Sequence, residues 1–168
     1  MTSMLRPTIL AGFAAFLIGF GSASAADYTG RATALLAKGE PRAAAIELRN
    51  AIKQDPANAA AQFELAKIDL WLGNPVAAER EARAAQAHRF DPGPTLSLLM
   101  ETYLAQGRYK DLLRDFPAGN SDPKLASRIA VGRGRAELGL NQIDPASAEI
   151  ASARRLAPNE IGPLLAAE

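Results

Sequence analysis

Residues 35–44 read LLAKGEPRAA, 69–78 read DLWLGNPVAA, 103–112 read YLAQGRYKDL and 137–146 read ELGLNQIDPA. Each stretch is a run of helix formers closing on Gly39, Gly73, Gly107 or Asn141, and the step from each of these positions to the next never varies. Gly and Asn take the left-handed conformation that ends a helix more easily than other residues do, so the four mark helix stops on one ruler. Five residues past each stop come Ala44, Ala78, Leu112 and Ala146, where a small side chain lets paired helices approach closely. Leu48, Ala82, Phe116 and Ile150 follow four residues on, as the next turn of the same apolar stripe. Ala51, Ala85 and Ala153 continue it in three of the four units. Pro56 and Pro158 then break the second helix, and Pro92 is expected to do so two residues late in the second unit. A period of this length, helix then stop then helix, describes units that bury their apolar faces only by stacking.

Composition agrees. Hydrophobic residues make up 48% of the 168 residues, enough to bury a core, and aromatics only 6%. Alanine dominates the apolar share, which favours helices that pack closely. Lys and Arg number 19 against 18 Asp and Glu. Without Arg6, in the leader described next, the balance is even. That argues against nucleic acid as a partner, because phosphate binding draws on clustered excess Lys and Arg. The chain has no cysteine, which excludes disulfides, thiolate metal sites, a cysteine nucleophile and a lipid-anchoring cysteine.

Residues 1–25 read as a secretory signal peptide. Arg6 supplies the positive start, Ile9 through Phe20 the apolar stretch, and Ala23 and Ala25 an A-x-A cleavage site. Cleavage after Ala25 or Ala26 sends the chain to the periplasm, with membrane contact only through the leader; an uncleaved N-terminal anchor is the alternative. The apolar run is shorter than the roughly 20 residues of a spanning helix.

The ruler and the residues on it resemble the tetratricopeptide repeat. With units at about 25–58, 59–92, 93–126 and 127–160, the first shows Tyr28, Gly39, Ala44, Leu48, Ala51 and Pro56 at signature positions. The second shows Leu65, Ala66, Gly73, Ala78 and Ala85; the third Leu99, Tyr103, Gly107 and Tyr109; the fourth Gly134, Ala146, Ile150, Ala153 and Pro158. Pro117-Ala118-Gly119 cuts the third unit's second helix short. The resemblance implies an all-α fold, helix pairs stacked as a right-handed solenoid over 26–160. Residues 161–168 then start a further helix or form a frayed stub, leaving the array uncapped or the chain the front of a longer protein.

A narrower resemblance rests on the wording of 35–85 and of LLMETYLAQGRYKDLLRDFP at 98–117. These stretches are similar to the start of the exported tetratricopeptide protein that accompanies exosortase-type exopolysaccharide systems. Members of that family are often lipid-anchored and carry many more repeats. The implied function is a periplasmic protein-interaction scaffold or adaptor in exopolysaccharide assembly or export. The alternative is an assembly factor or chaperone-like holder for periplasmic and outer-membrane proteins, as in cytochrome maturation, pilus or secretion machinery.

No motif points to catalysis, a cofactor or a metal. The single histidine, His88, lacks a companion at ligand or general-base spacing and reads as a surface residue at a helix C-terminus. Glu79/Glu81 and Glu47/Asp55 read as solvated helix faces. A protein or peptide partner is expected in the groove that the first helices of such repeats line. The positions carried across are Thr29, Thr33 and Leu36; Phe63, Lys67, Leu70 and Trp71; Ser97, Glu101 and Leu104; and Arg128, Val131 and Arg135. Trp71, the only tryptophan, suits a binding anchor, or else fills space between repeats. Leu36, Leu70, Leu104 and Leu138 recur at the spacing of the ruler and read more as core than as contact surface. Arg128, Arg133 and Arg135 make one helix locally basic, so an acidic polysaccharide is a second candidate partner, against a plain solvated face. The chaperone-binding class of these repeats grips a carboxylate with a lysine and an asparagine; Thr29 and Thr33 hold those positions here, so that mode is not expected.

Overall fold

The computed structural model describes residues 24–159. The leader, apart from Ser24 and Ala25, and the segment 161–168 lie outside the described residues. Eight helices and no strand make up the described chain: α1 (Ala25–Ala37), α2 (Pro41–Gln54), α3 (Ala59–Trp71), α4 (Pro75–Ala87), α5 (Pro92–Ala105), α6 (Tyr109–Asp115), α7 (Pro123–Gly139) and α8 (Ile143–Leu156).

Local chemistry sets their ends. Proline opens α2, α4, α5 and α7, where its missing N–H costs nothing and its φ already suits the helix. Ser24 caps α1 in a capping box with Asp27, and Asn58, Asp91 and Asp122 accept backbone N–H groups at the starts of α3, α5 and α7. The four stops on the ruler all have positive φ: 76° at Gly39, 80° at Gly73, 67° at Gly107 and 61° at Asn141. Each first helix is therefore closed by one left-handed residue. The second helices end differently. α4 ends at Ala87, and Arg89 adopts φ 62°. Pro92 does not break α4 as expected; it is the first residue of α5, because Arg89 has already turned the chain.

Helices pair as α1 with α2, α3 with α4 and α7 with α8, and each second helix packs on the next first helix. First helices also meet directly, α3 with α5 and α5 with α7. This is the stacking expected of a tetratricopeptide-type solenoid. The core is a chain of clusters along the seams. Ala44, Leu48 and Ala51 of α2 pack with Ala61, Leu65 and Ile68 of α3. Phe63 and Ala66 meet Ala82, Ala85 and Leu99, and Met100 and Tyr103 meet Leu112 and Ala136. Ala78, Ala82 and Ala85 have no exposed area. A larger side chain there would push the paired helices apart, and overpacking a close-packed core costs about 1–3 kcal/mol.

The third unit departs from the pattern. α6 has seven residues where α2 and α8 have 14, and α7 has 17 where α3 has 13. The lengthened α7 starts about one turn early, and its added turn brings Leu125 beside Gly93 at the start of α5. Glycines bring it close: a Cβ on Gly139 would lie 2.6 Å from the Tyr109 ring, and one on Gly134 3.1 Å from Ile150 Cδ1.

Candidate binding groove and the polar rungs behind it

Helical phase decides which expected groove residues meet. Leu70, Glu101, Leu104 and Arg135, contributed by α3, α5 and α7, converge with Ala105 and Tyr109 around an open cavity of about 490 Å³. Leu70 and Leu104 are half-buried and occupy one position of the repeat in successive units, as do Glu101 and Arg135. Arg135 donates to Glu101 across the α5–α7 contact. Lys67, one unit earlier in the same column, is exposed and pairs with Glu64 at 2.9 Å. The result is an apolar floor of leucines bordered by a column of alternating charge, Lys67, Glu101, Arg135.

Three expected groove residues belong elsewhere. Phe63 is 9% exposed and stacks on Phe90 with ring centroids 4.4 Å apart. Val131 is 4% exposed and packs with Ala130 and Ala153. Both face the seams, because the repeat position they share points between helices rather than outward. Trp71 is 72% exposed, so it does not fill space between repeats, but it lies beside Leu72 and Gly39–Ala43 at a separate cavity. Consecutive helix residues are about 100° apart, which turns Trp71 away from the groove that Leu70 enters. The leucine ladder is not core either: Leu36 and Leu138 are exposed, Leu70 and Leu104 half-buried.

The arginines of α7 do not form an open basic patch. Arg128 donates to Ser97 at 3.3 Å, Arg135 pairs with Glu101, and Arg133 is drawn inward. Its Nε meets Glu149 at 2.6 Å, while its Nη1 donates to the backbone oxygens of Leu113 and Phe116 at 2.9 and 3.1 Å. Those carbonyls end the short α6, so Arg133 serves as its C-terminal cap from the neighbouring helix.

Reading the sequence alone missed the polar seam between the second and third units. Glu79 and Glu81 are not on a solvated face; their side chains are 14% and 13% exposed. Glu79 accepts from Arg83 at 2.8 Å, Gln106 at 2.9 Å and Arg108 at 2.8 Å. Burial works to raise its pKa, but these donors outweigh it and hold the carboxyl below the usual glutamate range. The Tyr103 hydroxyl accepts from Arg83 and donates to Asp115 at 3.0 Å, and Arg108 lies 4.2 Å over its ring. Burial, with Asp115 as acceptor, pushes the Tyr103 hydroxyl above its ordinary pKa. The available signal was a matched offset: Arg49 precedes the first-helix residue Asp69 by the same interval at which Arg83 precedes Tyr103.

His88 is exposed at the C-cap of α4, as expected, and its Nδ1 lies 2.8 Å from Gln62 Oε1. Gln62 donates its amide to Pro56 O at 2.8 Å, so its oxygen faces His88 and Nδ1 carries the proton. Among the described residues no three His, Cys, Asp or Glu side chains converge as a metal site, and no helix is long and apolar enough to cross a membrane.

No curated protein matches the chain. Residues 35–94 match the family model described as tetratricopeptide repeat, a stretch running from the end of α1 into α5. The same helix pairing continues on both sides of that match, so the fold of the described residues is that of a tetratricopeptide-type helical solenoid.

Proposed function

We propose that this protein is an exported scaffold that holds a partner segment in the groove between α3, α5 and α7, serving the assembly or export of an exopolysaccharide. One observation carries the binding reading: Leu70 and Leu104 line one open cavity with the Glu101–Arg135 pair. Half-exposed leucines offer area to bury, and paired charges at the border fix the register of a bound segment. The occupant suggested is a protein or peptide with apolar side chains at its centre rather than a polyanion, since the arginines of α7 are already engaged. The secretory leader at 1–25 supports the periplasm as the place of action, and the wording of 35–85 and 98–117 supports the exopolysaccharide setting.

The test pairs two variants. The double change Leu70→Asp with Leu104→Asp puts charge on the groove floor, while Ile46→Asp places the same charge at an exposed site on α2. Cross-linking in the periplasm should recover a protein partner with the parent chain and with Ile46→Asp, and lose it by tenfold or more with the double variant. Equal recovery from all three would overturn the groove. Separately, N-terminal sequencing of the periplasmic protein should begin at Ala26 or Asp27, and a chain beginning at Met1 would overturn the cleavage reading. Loss of surface polysaccharide on deleting the gene is the expected cellular result; unchanged polysaccharide would overturn the setting.

A further inference from the structure

Behind the groove, a polar rung between neighbouring units recurs with the repeat. An arginine on one second helix reaches a buried polar residue on the next first helix, and in the second rung that residue also bonds an acid on its own second helix. In the first rung Arg49 Nη2 meets Asp69 Oδ1 at 3.0 Å, and Asp69 is 1% exposed. In the second, one repeat further on, Arg83 donates to Tyr103, which is also 1% exposed and donates to Asp115. Both arginines arrive from the solvent side, with side chains 52% and 50% exposed.

The third rung lacks its arginine. The position one repeat after Arg83 is Pro117, exposed and past the last residue of α6, Asp115. Tyr103 is replaced by Glu137, 6% exposed, whose Oε2 is buried without a hydrogen-bond partner among the described residues. Asp115 is replaced by Glu149, which is taken up by Arg133. Arg133 spends its remaining bonds on Leu113 and Phe116, and Glu137 Oε2 takes part in none of them. A buried carboxylate oxygen without a donor is costly, and in the two preceding rungs a guanidinium meets the corresponding group.

We propose that the third rung is a cation-binding site completed by the guanidinium of a partner protein's arginine, which bonds Glu137 Oε2. Guanidinium fits better than ammonium because its planar fork can bond a carboxylate at two points. The site is built by second helices and the α7 face behind them, so it is separate from the leucine groove and its failure leaves that reading untouched. Glu137 carries a pKa pushed up by burial and by Glu149, partly offset by Arg133, as a carboxylate short of cations should.

The experiment follows the Glu137 carboxyl carbon by NMR in the full chain, with butylguanidinium as probe and sodium chloride at equal ionic strength as control. Butylguanidinium should shift that carbon saturably and lower its titration midpoint, while sodium chloride should not. In Glu137→Gln the saturable response of the amides around 132–140 should weaken, with apparent affinity falling at least threefold. Equal responses in parent and Glu137→Gln would overturn the proposal. So would a parent titration midpoint unmoved by the probe, or a solution structure in which Arg133 leaves Leu113 and Phe116 to bond Glu137. Glu137→Leu, which also removes the carboxylate, provides the same readout should the glutamine variant fold poorly.

Discussion

Between α4 and α5, both oxygens of Glu79 are bonded and Tyr103 sits between an arginine and an aspartate. Between α6 and α7, at the equivalent place in the repeat, Glu137 has an oxygen with no partner among the described residues. The two seams share register and backbone plan; they differ in whether the preceding second helix is full length. A repeat array can shorten one helix and lengthen the next, as α6 and α7 do, and still keep an apolar seam, here Met100, Tyr103, Leu112 and Ala136. It cannot recover a side chain whose backbone position has left the helix. Packing is supplied by any surface of the right shape, whereas a buried charge needs a donor at one place.

Tyr103→Ala should break the contrast most. Tyr103 is the largest of the fully buried side chains and both packs and bonds across the stronger seam, against Phe116 at 5.5 Å among others. Removing an aromatic from such a site costs about 3–5 kcal/mol, here with the partner of Arg83 and Asp115 lost too. Urea unfolding followed by far-UV circular dichroism should show stability fall by that amount. A change below about 1 kcal/mol would mean the second rung does not hold the seam.

Glu79→Gln should come next, destabilising by about 2 kcal/mol near neutral pH, in the range for hydrogen bonds to charged groups. Its sign with pH is fixed by the lowered pKa of Glu79. A carboxylate with a depressed folded pKa contributes stability above its ordinary unfolded value and loses it as pH falls through the folded one. The gap between parent and Glu79→Gln should therefore close in acid, and thermal melts from neutral pH to about pH 3 follow it. A gap that stays constant would assign the effect to shape rather than charge.

The array itself was legible because one kind of helix stop recurs at one spacing. Gly39, Gly73, Gly107 and Asn141 each follow a run of helix formers, and all four take the left-handed turn. The groove was partly legible: Leu70, Glu101, Leu104 and Arg135 meet because they repeat on one helical face. Phe63 and Val131 shared the right helices but the wrong phase, and a difference of about 100° per residue separates surface from seam. Trp71 was misplaced for the same reason, by one position. The rungs were harder to see because they depend on partners far along the chain, on a different helix. Their arginines look like ordinary surface charges, half-exposed at the tips while bonding inward.

The smallest expected effect has the opposite sign and is the sharpest test of the contrast. Glu137→Gln should stabilise the protein near neutral pH, by about 1 kcal/mol, because it removes a buried charge that lacks a donor. Burial and Glu149 raise the folded pKa of Glu137. The stability this group contributes is therefore complete below the ordinary glutamate value and is lost as pH rises through the raised folded value. The variant's advantage should appear across that same interval and vanish in acid, where the parent side chain is neutral as well. Melting curves of the parent, Glu79→Gln and Glu137→Gln on one pH series would then diverge in opposite directions from a common acid limb. A Glu137→Gln chain less stable than the parent at neutral pH would mean that the third seam already supplies Glu137 with a cation, and the two seams would be alike after all.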